Sequence, residues 1–282
     1  MSISFMAYCP HPAIIVPEVG GSETAKVKKT MTAMENLAES IQEKGEDIET
    51  VICITPHGPI FQDAITIWQT ESLSGRLAKF GASQIKLSFR NDLELAKAIV
   101  KHAEAKRIIS AQLNLQLADS YNIDLALDHG ITVPLYFLRR GISEKVKLVP
   151  ISIGLLSYQE LYSYGMAIRD SIEETGKKVA VIVSGDLSHC LTETAPGGFH
   201  PKGQEFDQKL VSFVEAGDVL SLMSIDSELI EFAGECGFRP LVMALGILDK
   251  SSFDTRVLSY EAPFGVGYLV AEFHIKEGTE PS

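Results

Sequence analysis

Stretches of consecutive apolar residues alternate along this chain with stretches in which apolar residues recur every three to four positions. Short apolar runs rich in Val and Ile are typical of strands covered on both faces, and the longer period is typical of amphipathic helices. Strands are predicted over residues 3–9, 51–55, 64–68, 86–89, 148–153, 179–184, 256–260 and 266–274. Helices are predicted over residues 22–44, 92–105, 203–214 and 236–248, with a further one that ends near residue 175. This alternation predicts an α/β fold with a central, mostly parallel or mixed sheet and helices on both faces.

Polar residues and glycines mark where several of these helices begin and end. Asn91 with Glu94, and Ser157 with Glu160, have the spacing of capping boxes, in which each side chain accepts a hydrogen bond from the other residue's backbone N–H. Gly45 is predicted to end the first helix, because glycine adopts the left-handed conformation of a helix C-cap at little cost. The segment HPAIIVPEVGG ahead of that helix is predicted to be a loop.

The sequence contains no Gly/Ser/Pro-rich linker, internal period or low-complexity tract that would divide it. A single domain over residues 1–275 is therefore predicted, followed by a frayed tail over residues 276–282. With 45% hydrophobic and 22% charged residues over a length of 282, the chain has the composition of a globular protein and ample length for a core.

Net charge and cysteine content limit which binding partners and which cellular compartment are expected. Lys and Arg number 25 against 37 Asp and Glu, and the resulting net charge of -12 argues against a nucleic-acid or anionic-membrane partner. The longest apolar run of the C-terminal half, LVMALGIL, is too short to span a membrane, and the first residues lack the basic region and cleavage site of a signal peptide. The four cysteines form no CxxC motif, so a cytoplasmic protein with free thiols is expected.

Two predicted strands end in the dipeptide Pro-His, at His11 and His57. In open α/β sheets, ligands bind in the crevice beyond the carboxyl ends of strands. A single histidine in such a loop more often only hydrogen-bonds the backbone, but two in the same setting, on strands expected to be adjacent, favour joint metal binding. Imidazole binds Fe, Zn, Cu and Ni alike, so the pair does not identify the metal.

The residues alone leave the third metal ligand open. Glu235 lies between constrained residues near a predicted helix start, and Asp186 and Glu261 are its rivals. The structural alternative for Glu235 is an acid that only interacts with the positive end of the helix dipole.

Two further histidines are candidates for proton transfer. His189 follows the most strand-like segment of the chain, and a histidine beside a metal is a common general acid or base, although it can also cap a helix. His129 is the second candidate, with Asp128 beside it either to orient it or to begin a turn. His200 is expected to be structural.

Three cysteines flank proposed site residues. Cys9, Cys190 and Cys236 are by default small buried hydrophobic residues, but a thiolate close to a metal can compete as a ligand. The chain contains no glycine-rich dinucleotide or P-loop motif, no HExxH and no GxSxG, which argues against nucleotide-binding, zincin and α/β-hydrolase classes.

With these residues established, the chain resembles the class III extradiol ring-cleavage dioxygenases, in particular their catalytic B-subunit-like proteins. The resemblance is strongest to the bacterial and archaeal branch associated with the AmmeMemoRadiSam system and its Memo-like relatives. The matching segments are CPHPAIIVPEVG, TPHGP, LDHGITVPL, SGDLSH, GFHPKGQEFD, AGECGFRP and SYEAPFGVGY. They span nearly the whole chain, and they are specific to the superfamily but not to a substrate.

The resemblance implies a mononuclear non-haem Fe(II) site held by His11, His57 and Glu235. It places His189 at the family's acid/base position and His129 at a second active-site histidine that orients substrate and oxygen. It implies a catechol and O2 as substrates, and it implies that AmmeMemoRadiSam-system partners would be separate polypeptides. Arg239, Lys202 and Tyr268 lie in matching segments and are candidates for binding a substrate carboxylate, although each is better explained by packing.

Two rival functions remain open at this point. One is a non-catalytic or redox metal-binding protein of the Memo-like type that acts through protein partners. The other is a zinc hydrolase, because a site of two His and one Glu with water also suits Zn²⁺ or another divalent metal. A homodimer is the default expectation for such an enzyme.

Overall fold

Strands and helices alternate along the computed structural model, which describes residues 2–44 and 47–276. The strands are β1 (Ile3–Cys9), β2 (Thr50–Thr55), β3 (Ala64–Trp68), β4 (Ser72–Leu77), β5 (Ala82–Arg90), β6 (Ile109–Leu113), β7 (Lys147–Ser152), β8 (Val179–Ser184), β9 (Phe253–Glu261) and β10 (Tyr268–Ile275). The α-helices are α1 (Pro17–Gly20), α2 (Lys28–Lys44), α3 (Leu93–Ala105), α4 (Leu115–Tyr121), α5 (His129–Leu138), α6 (Tyr158–Thr175), α7 (Pro201–Ala216), α8 (Val219–Met223), α9 (Ser227–Ala233) and α10 (Phe238–Ile247). Short 3-10 helices span Ala13–Ile15, Gly21–Val27, Ala78–Phe80 and Arg139–Gly141.

Eight of the strands form one mixed sheet in the order β6-β3-β7-β2-β8-β1-β10-β9. Its centre is parallel, because β7, β2, β8 and β1 all run in the same direction. Antiparallel pairs flank this centre, β3 against β7 on one side and β10 against β1 on the other. The predicted single α/β domain with a mixed sheet is confirmed.

The strand β8 lies between the two strands that end in Pro-His. Val181 pairs with Met6 of β1 on one side and with Ile52 of β2 on the other. All six residues of β8 are buried, as expected for the most apolar run of the chain when it occupies the centre of a parallel sheet. The prediction that the strands before His11 and His57 are adjacent is therefore wrong, and the strand before His189 separates them.

Two hydrophobic cores cover the two faces of the sheet. Alternate residues of each central strand enter different cores: in β8, Val181 and Val183 enter one, and Ala180 and Ile182 enter the other. The first core is closed by α3, α6 and α10, and the second by α2 and α5. The sheet is thus covered on both sides, as the sequence predicts, and its carboxyl edge is left to the loops.

The strands β4 and β5 form a separate two-stranded hairpin, which we call the hairpin arm (Ser72–Arg90). It docks on the segment before α5 through a hydrogen bond from the Leu127 backbone N–H to the Ser74 carbonyl, at 2.8 Å. Gly75 permits this close approach, because a Cβ there would lie 2.5 Å from Thr132 Oγ1. The predicted strand over residues 86–89 is part of β5, and the prediction contained no partner for it.

Helix starts differ from several predictions for local reasons. Ser157 and Glu160 form the predicted capping box. At α3 the cap is Asp92 rather than Asn91, since Asp92 accepts from the Leu95 N–H while the Asn91 amide donates to the carbonyls of Trp68 and Thr70.

Other boundaries shift as well. Residues 21–27 are 3-10 helix, so the first long α-helix begins at Lys28 rather than residue 22, and the predicted loop before it contains a 3-10 turn and α1. The predicted helix over 236–248 begins at Phe238. The predicted helix end at Gly45 lies outside the described residues, as does the predicted tail apart from Lys276. None of the helices in the described part of the chain combines the length and apolar character that crossing a bilayer requires.

Candidate metal centre

The carboxyl ends of β1, β2 and β8 meet at one edge of the sheet because these three strands are parallel. His11, His57 and His189 follow those strands and lie together at that edge. The loop after β8 is tied to its neighbours, since the Gly185 N–H donates to the Cys9 carbonyl at 3.0 Å and the His189 N–H donates to the Ala233 carbonyl at 3.0 Å. The site therefore lies in the crevice where open α/β sheets bind ligands.

His11 is fixed from both its backbone and its ring. Its backbone N–H donates to Asp186 Oδ1 at 3.0 Å, and its ring Nδ1 lies 2.8 Å from the Ser184 hydroxyl. With Nδ1 engaged, the other ring nitrogen, Nε2, faces the crevice. There it lies 3.0 Å from Nε2 of His57.

His57 is held by its backbone and packs against a third imidazole. Its N–H donates to Thr55 Oγ1 at 3.1 Å, and its carbonyl accepts from the Ser152 hydroxyl. Its ring stacks on that of His129, with centroids 4.4 Å apart, and His129 also meets His11 edge-on at 5.2 Å. The structure thus brings three of the predicted site histidines into mutual contact.

His129 is the first residue of α5, and Asp128 is the cap of that helix. The Asp128 carboxylate accepts from the Gly130 N–H at 2.7 Å and from the Thr55 hydroxyl at 2.9 Å. Its contacts therefore orient the helix and the loop that carries His57, and they position the His129 ring through the backbone.

Cys236 contributes a sulfur to the same crevice. Its Sγ lies 3.6 Å from His11 Nε2 and 3.8 Å from His189 Nε2. Asp186 Oδ2 lies 3.7 Å from His11 Nε2. Two sets of three ligand atoms converge here, each within 4.8 Å of one another: His11 with His57 and Cys236, and Asp186 with His189 and Cys236.

Glu235 adopts a different position from the one expected for a ligand. Its carboxylate accepts from the Phe238 backbone N–H at 2.5 Å, in the first turn of α10. Among the described residues it belongs to neither converging set. Its role as a metal ligand stays a prediction, and in this conformation Asp186 is the carboxylate nearest to His11 Nε2.

Burial lowers the pKa of all four imidazoles of the crevice. At His11, His129 and His189, repulsion from a neighbouring charged imidazole lowers the pKa further, which places His129 at about 4. The rings are therefore neutral near pH 7, and a neutral imidazole has the lone pair that binds a metal.

Burial has the opposite effect on the acids. It raises the pKa of both Asp186 and Glu235 to about 7, and it raises the pKa of the Cys236 thiol well above its ordinary value, with the charge of Asp186 adding to the effect. The crevice therefore resists the gain of negative charge unless a cation is present to offset it.

This donor set fits a divalent metal ion. Two donors at ~2.1 Å from one ion lie roughly 3.0–3.4 Å apart, for angles at the ion between a right angle and a tetrahedral one. The observed 3.0 Å between the Nε2 atoms of His11 and His57 agrees with that spacing. A bound cation would also favour the ionised forms of Asp186 and Cys236.

Other sequence candidates have roles elsewhere. Glu261 accepts from the Thr30 N–H and hydroxyl on α2. His200 caps α7 and stacks on Phe232, which agrees with its expected structural role. Cys9 is buried in the core between the sheet and α2.

Cys190 and the three candidates for binding a substrate carboxylate also have structural contacts or are buried. Cys190 is buried, with its Sγ 3.7 Å from the Gly197 carbonyl. Arg239 donates to the Leu156 carbonyl, and Lys202 pairs with Glu228. Tyr268 is 3% exposed. These contacts favour the packing explanation for each residue.

A cavity of about 580 Å³ adjoins His129, which lines it on one side together with Gly58 and Asp128. The hairpin arm lines the other side with Arg76, Lys79 and Phe80, and the Phe80 ring lies 5.4 Å from that of His129. Sequence reasoning missed these three residues, because no local signal connects a hairpin to a histidine about fifty residues later. A larger cavity of about 930 Å³ shares Arg76, Asp124 and Ala126 with this one, but His129 does not line it.

Comparison with known proteins identifies the relatives of this chain. A family model described as the catalytic LigB subunit of aromatic ring-opening dioxygenase matches residues 5–271. A Clostridium acetobutylicum protein is 38% identical over 270 residues, covering 96% of this chain and 57% of its own length. A MEMO1 family protein of Methanosarcina acetivorans is 26% identical over 49% of this chain and 51% of its own. The 3,4-dihydroxyphenylacetate 2,3-dioxygenase of Escherichia coli is 27% identical over 50% of this chain and 54% of its own.

Solved structures agree on the fold. An uncharacterised protein from Escherichia coli K12 superposes with a TM-score of 0.62 at 12% identity, covering 96% of this chain and 99% of the other. By contrast, the chain spans only about half the length of the curated relatives it matches.

Proposed function

The chain belongs to the family of the catalytic LigB subunit of aromatic ring-opening dioxygenase, and we propose that it is a metal-dependent oxidoreductase that opens a catecholic ring with O2. The observation that carries the proposal is the convergence of the Nε2 atoms of His11 and His57 beside two further neutral imidazoles. Catechol plus O2 balances without an external reductant, because one ring C–C bond beside the hydroxyls breaks and both oxygen atoms enter the product.

Fe(II) is the metal that we propose, held by His11, His57 and an acidic donor from the loops at Asp186 and Cys236 or from Glu235. When bound, it would supply the Lewis acidity that lowers the pKa of a catechol and a redox-active centre through which electrons from the catechol reach O2. The protein's own contribution is to hold neutral imidazoles in place and to exclude bulk water from the crevice.

His189 is proposed as the group that accepts a catechol proton and later returns it. Burial lowers its pKa, so its ring is neutral and able to accept a proton at pH 7. His129 lines the cavity and is proposed to hydrogen-bond the substrate or oxygen, and Phe80 is proposed as the apolar wall against which the aromatic ring lies.

Anaerobic titration with Fe(II), followed by O2 uptake, tests this function. We expect one tight equivalent of Fe(II), and we expect O2 consumption with 3,4-dihydroxyphenylacetate, the compound in the name of the Escherichia coli relative. The H11A/H57A double variant is expected to lose both, and His200→Ala, which alters a helix cap and belongs to neither converging set, serves as the control. Tight Fe(II) binding without O2 uptake for any of a panel of catechols would reject ring cleavage.

The position of Cys236 favours a second candidate function. A sulfur 3.6 Å from His11 Nε2 is a soft donor, and soft donors favour Cu(I), Zn or iron–sulfur chemistry over the carboxylate site of Fe(II) oxygenases. Several relatives are MEMO1 family proteins. We therefore keep as the alternative a metal-binding protein that acts through partners, for which AmmeMemoRadiSam-system proteins and a second copy of the chain are the proposed candidates. Metal binding that depends on Cys236, without turnover of any catechol, would support it.

A further inference from the structure

Hydrogen bonds hold the backbone that carries His189 at every polar group. Each N–H and carbonyl of residues 188–190, which we call the His189 loop, forms a hydrogen bond of 3.0 Å or shorter. The partners are the Asp207 carboxylate, the Ser188 hydroxyl and backbone groups of Gly197, His200, Ala233 and Gly267. A general acid or base must lie within hydrogen-bond reach of the proton that it transfers. The position of this loop therefore determines what the imidazole can reach.

The Asp207 carboxylate is the ionisable group among these partners. Asp207 lies on α7 with 0% of its surface exposed, and its Oδ1 accepts from the Ser188 N–H at 2.8 Å. Its Oδ2 accepts from the Tyr260 hydroxyl of β9 at 2.6 Å. Burying a charged group is costly unless it is hydrogen-bonded, and here both oxygens are. The carboxylate thus connects the His189 loop to α7 and to β9.

The protonation states of the pair fix the direction of these hydrogen bonds. Burial raises the pKa of Asp207 to about 6, against the lowering effect of the hydrogen bonds from Tyr260 and Ser188, so the carboxylate is mostly ionised near pH 7. Burial, with the charge of Asp207, raises the pKa of Tyr260, so its hydroxyl keeps its proton and donates it. Asp207 consequently accepts from both sides.

Close packing leaves the carboxylate no alternative position. A Cβ on Gly267 would lie 2.1 Å from Asp207 Oδ2, and the Gly267 N–H donates to the Ser188 carbonyl at 2.9 Å. The segment before β10 therefore lies against the carboxylate and the loop at once. Loss of the carboxylate would leave the buried Ser188 N–H without this partner, and buried donors without a partner are costly.

We propose that Asp207, held in place by Tyr260, is a positioning residue for His189. The inference rests on the proposed function and deepens it, since it says how the proton-transfer group is kept in register with the metal ligands. Asp207 acts through the Ser188 backbone and does not itself contact the imidazole. A catalytic group displaced by about 1 Å can lose about 10²-fold in rate, so the position of the loop should affect turnover more than it affects binding.

Two substitutions of Asp207 separate its geometry from its charge. D207A removes the acceptor of the Ser188 N–H, and we expect kcat to fall by about 10²-fold with KM and Fe(II) affinity within about threefold of wild type. D207N is the conservative rescue, because the amide oxygen still accepts from Ser188 and the amide N–H group donates to the Tyr260 oxygen. We expect it to restore kcat to within about threefold of wild type.

Asp92→Ala is the matched control for lost stability. Asp92 is 1% exposed, and its carboxylate also accepts from a neighbouring strand, from the Thr50 hydroxyl at the opposite end of β2 from His57. Its loss should destabilise the fold and leave kcat within about threefold of wild type. Tyr260→Phe is a second test variant, which keeps the carboxylate and removes one of its two hydrogen bonds. We expect a loss in kcat of about tenfold, and this variant provides the test if D207A does not fold.

The position of the ring is measured without metal or turnover. Metal-free protein labelled with 15N at histidine gives ring signals that H189A assigns to His189. We expect D207A and Tyr260→Phe to shift or broaden the His189 ring signals and to leave those of His11 and His57 in place. D207N and Asp92→Ala should retain the wild-type signals. The same five proteins, loaded with Fe(II), are then compared in O2 uptake with 3,4-dihydroxyphenylacetate.

The results distinguish this inference from the function on which it rests. Wild-type ring signals and wild-type kcat in D207A, or in Tyr260→Phe where D207A does not fold, would overturn the inference and leave the catechol function intact. A loss of kcat in Asp92→Ala as large as in D207A would overturn it too, because general instability would then explain both. So would a failure of D207N to restore kcat, since the charge rather than the hydrogen bond would then matter. Absence of O2 uptake by the wild type with a panel of catechols would reject the proposed function, and the ring signals alone would then decide whether Asp207 positions His189.

Discussion

Cys236 and Glu235 are neighbours in the sequence, but the structure gives their side chains different contacts. The thiol of Cys236 faces His11 and His189, whereas the carboxylate of Glu235 accepts from the backbone N–H of Phe238, the first residue of α10. The family resemblance favours Glu235 as the metal ligand, and the geometry favours Cys236. The two assignments predict different effects of single substitutions.

We expect Cys236→Ser to weaken metal affinity by at least about tenfold and Glu235→Gln to change it by less than about threefold, because only the thiol converges with the imidazoles. Anaerobic competition with a chelator measures both affinities. A larger loss of metal affinity in Glu235→Gln than in Cys236→Ser would identify Glu235 as the ligand instead.

His189 does not belong to the converging set of His11, His57 and Cys236, so, if the metal binds at that set, the loss of His189 should separate chemistry from metal binding. Replacement by Ala should retain metal within about threefold and reduce turnover by roughly 10²–10⁴-fold, the usual range for an acid/base group. Single-turnover O2 uptake checks this, with His200→Ala as the control. Full activity in the variant would remove His189 from the chemistry.

The positions of the imidazoles at one sheet edge could be predicted from the sequence. The identity of the third metal ligand could not. His11, His57 and His189 each follow a strongly apolar strand, so their place at one sheet edge follows from parallel pairing. Which of two adjacent residues at a helix start faces the crevice depends on the first turn of α10. That turn is set by the contact of Gly237 with Tyr8, which lies about 230 residues earlier in the chain.

Gly237 is close-packed against the hydroxyl of Tyr8. A Cβ on Gly237 would lie 1.7 Å from Tyr8 Oη, and that hydroxyl is buried without a hydrogen-bond partner among the described residues. We expect Gly237→Ala to lower the free energy of unfolding by about 1–3 kcal/mol through overpacking. Tyr8→Phe alone should be neutral or slightly stabilising, and it should restore part of the loss in the double variant. Urea denaturation measures all three, and an unchanged Gly237→Ala variant would contradict the close contact.

At the scale of elements, a buried ion pair joins three of them. The Asp92 carboxylate, at the start of α3, accepts from Lys177 just before β8 and from the Thr50 hydroxyl at the start of β2. Burial raises the pKa of Asp92, but the hydrogen bonds from Lys177 and Thr50 outweigh it and hold the pKa below its usual range. The stabilisation by this carboxylate is therefore present above the unfolded-state pKa of about 3.9, and it is lost as pH falls through the lower folded-state pKa.

The Asp92→Asn variant should consequently be less stable than wild type by roughly 2–3 kcal/mol at neutral pH, with the difference shrinking below about pH 4. Denaturation over a pH series measures this. Glu94→Gln, which removes the exposed second partner of Lys177, is the control and should cost less than about 0.5 kcal/mol. If the stability difference between wild type and Asp92→Asn does not change with pH, it arises from packing rather than from the charge of Asp92.

Strands and helices whose hydrophobic pattern and residue propensities agree are predictable from this sequence. Those in which the two conflict are not. The predicted bounds of β1, β3 and β8 match the structure, because β1 and β8 are mostly apolar runs and β3 has the alternation typical of a strand. The helix α5 was missed because its sequence, HGITVPLYFL, contains β-branched residues and an internal Pro134. Burial of eight of its ten residues outweighs those preferences. The strand β4 was missed because Ser occupies two of its exposed positions and Gly75 one of its buried positions, and both residue types are poor strand formers.

At the scale of the whole molecule, the candidate metal ligands come from distant segments of the chain. His11, His57, Asp186 and Cys236 lie in separate loops that only the folded sheet brings together. A metal that binds the folded state alone stabilises it, by about 2.7 kcal/mol at a free concentration one hundred times its Kd.

Removal of metal with a chelator should therefore lower the unfolding midpoint by roughly 5 °C relative to protein with excess Fe(II). Differential scanning calorimetry measures the shift under anaerobic conditions. The H11A/H57A variant should show no shift in the unfolding midpoint, and His200→Ala should show the same shift as the wild type. An equal shift in H11A/H57A would place the stabilising metal outside the crevice.

The position of β1 in the sheet constrains how the centre is assembled in the cell. This strand precedes all others of the described chain, yet its two neighbours are β8 and β10, and Cys236 follows His11 by 225 residues. During translation the apolar strand β1 leaves the ribosome long before either neighbour exists, so it remains unpaired until β8 has been synthesised. The converging donors are complete only once the chain has been synthesised as far as Cys236, so a metal cannot be held by all of them at an earlier stage.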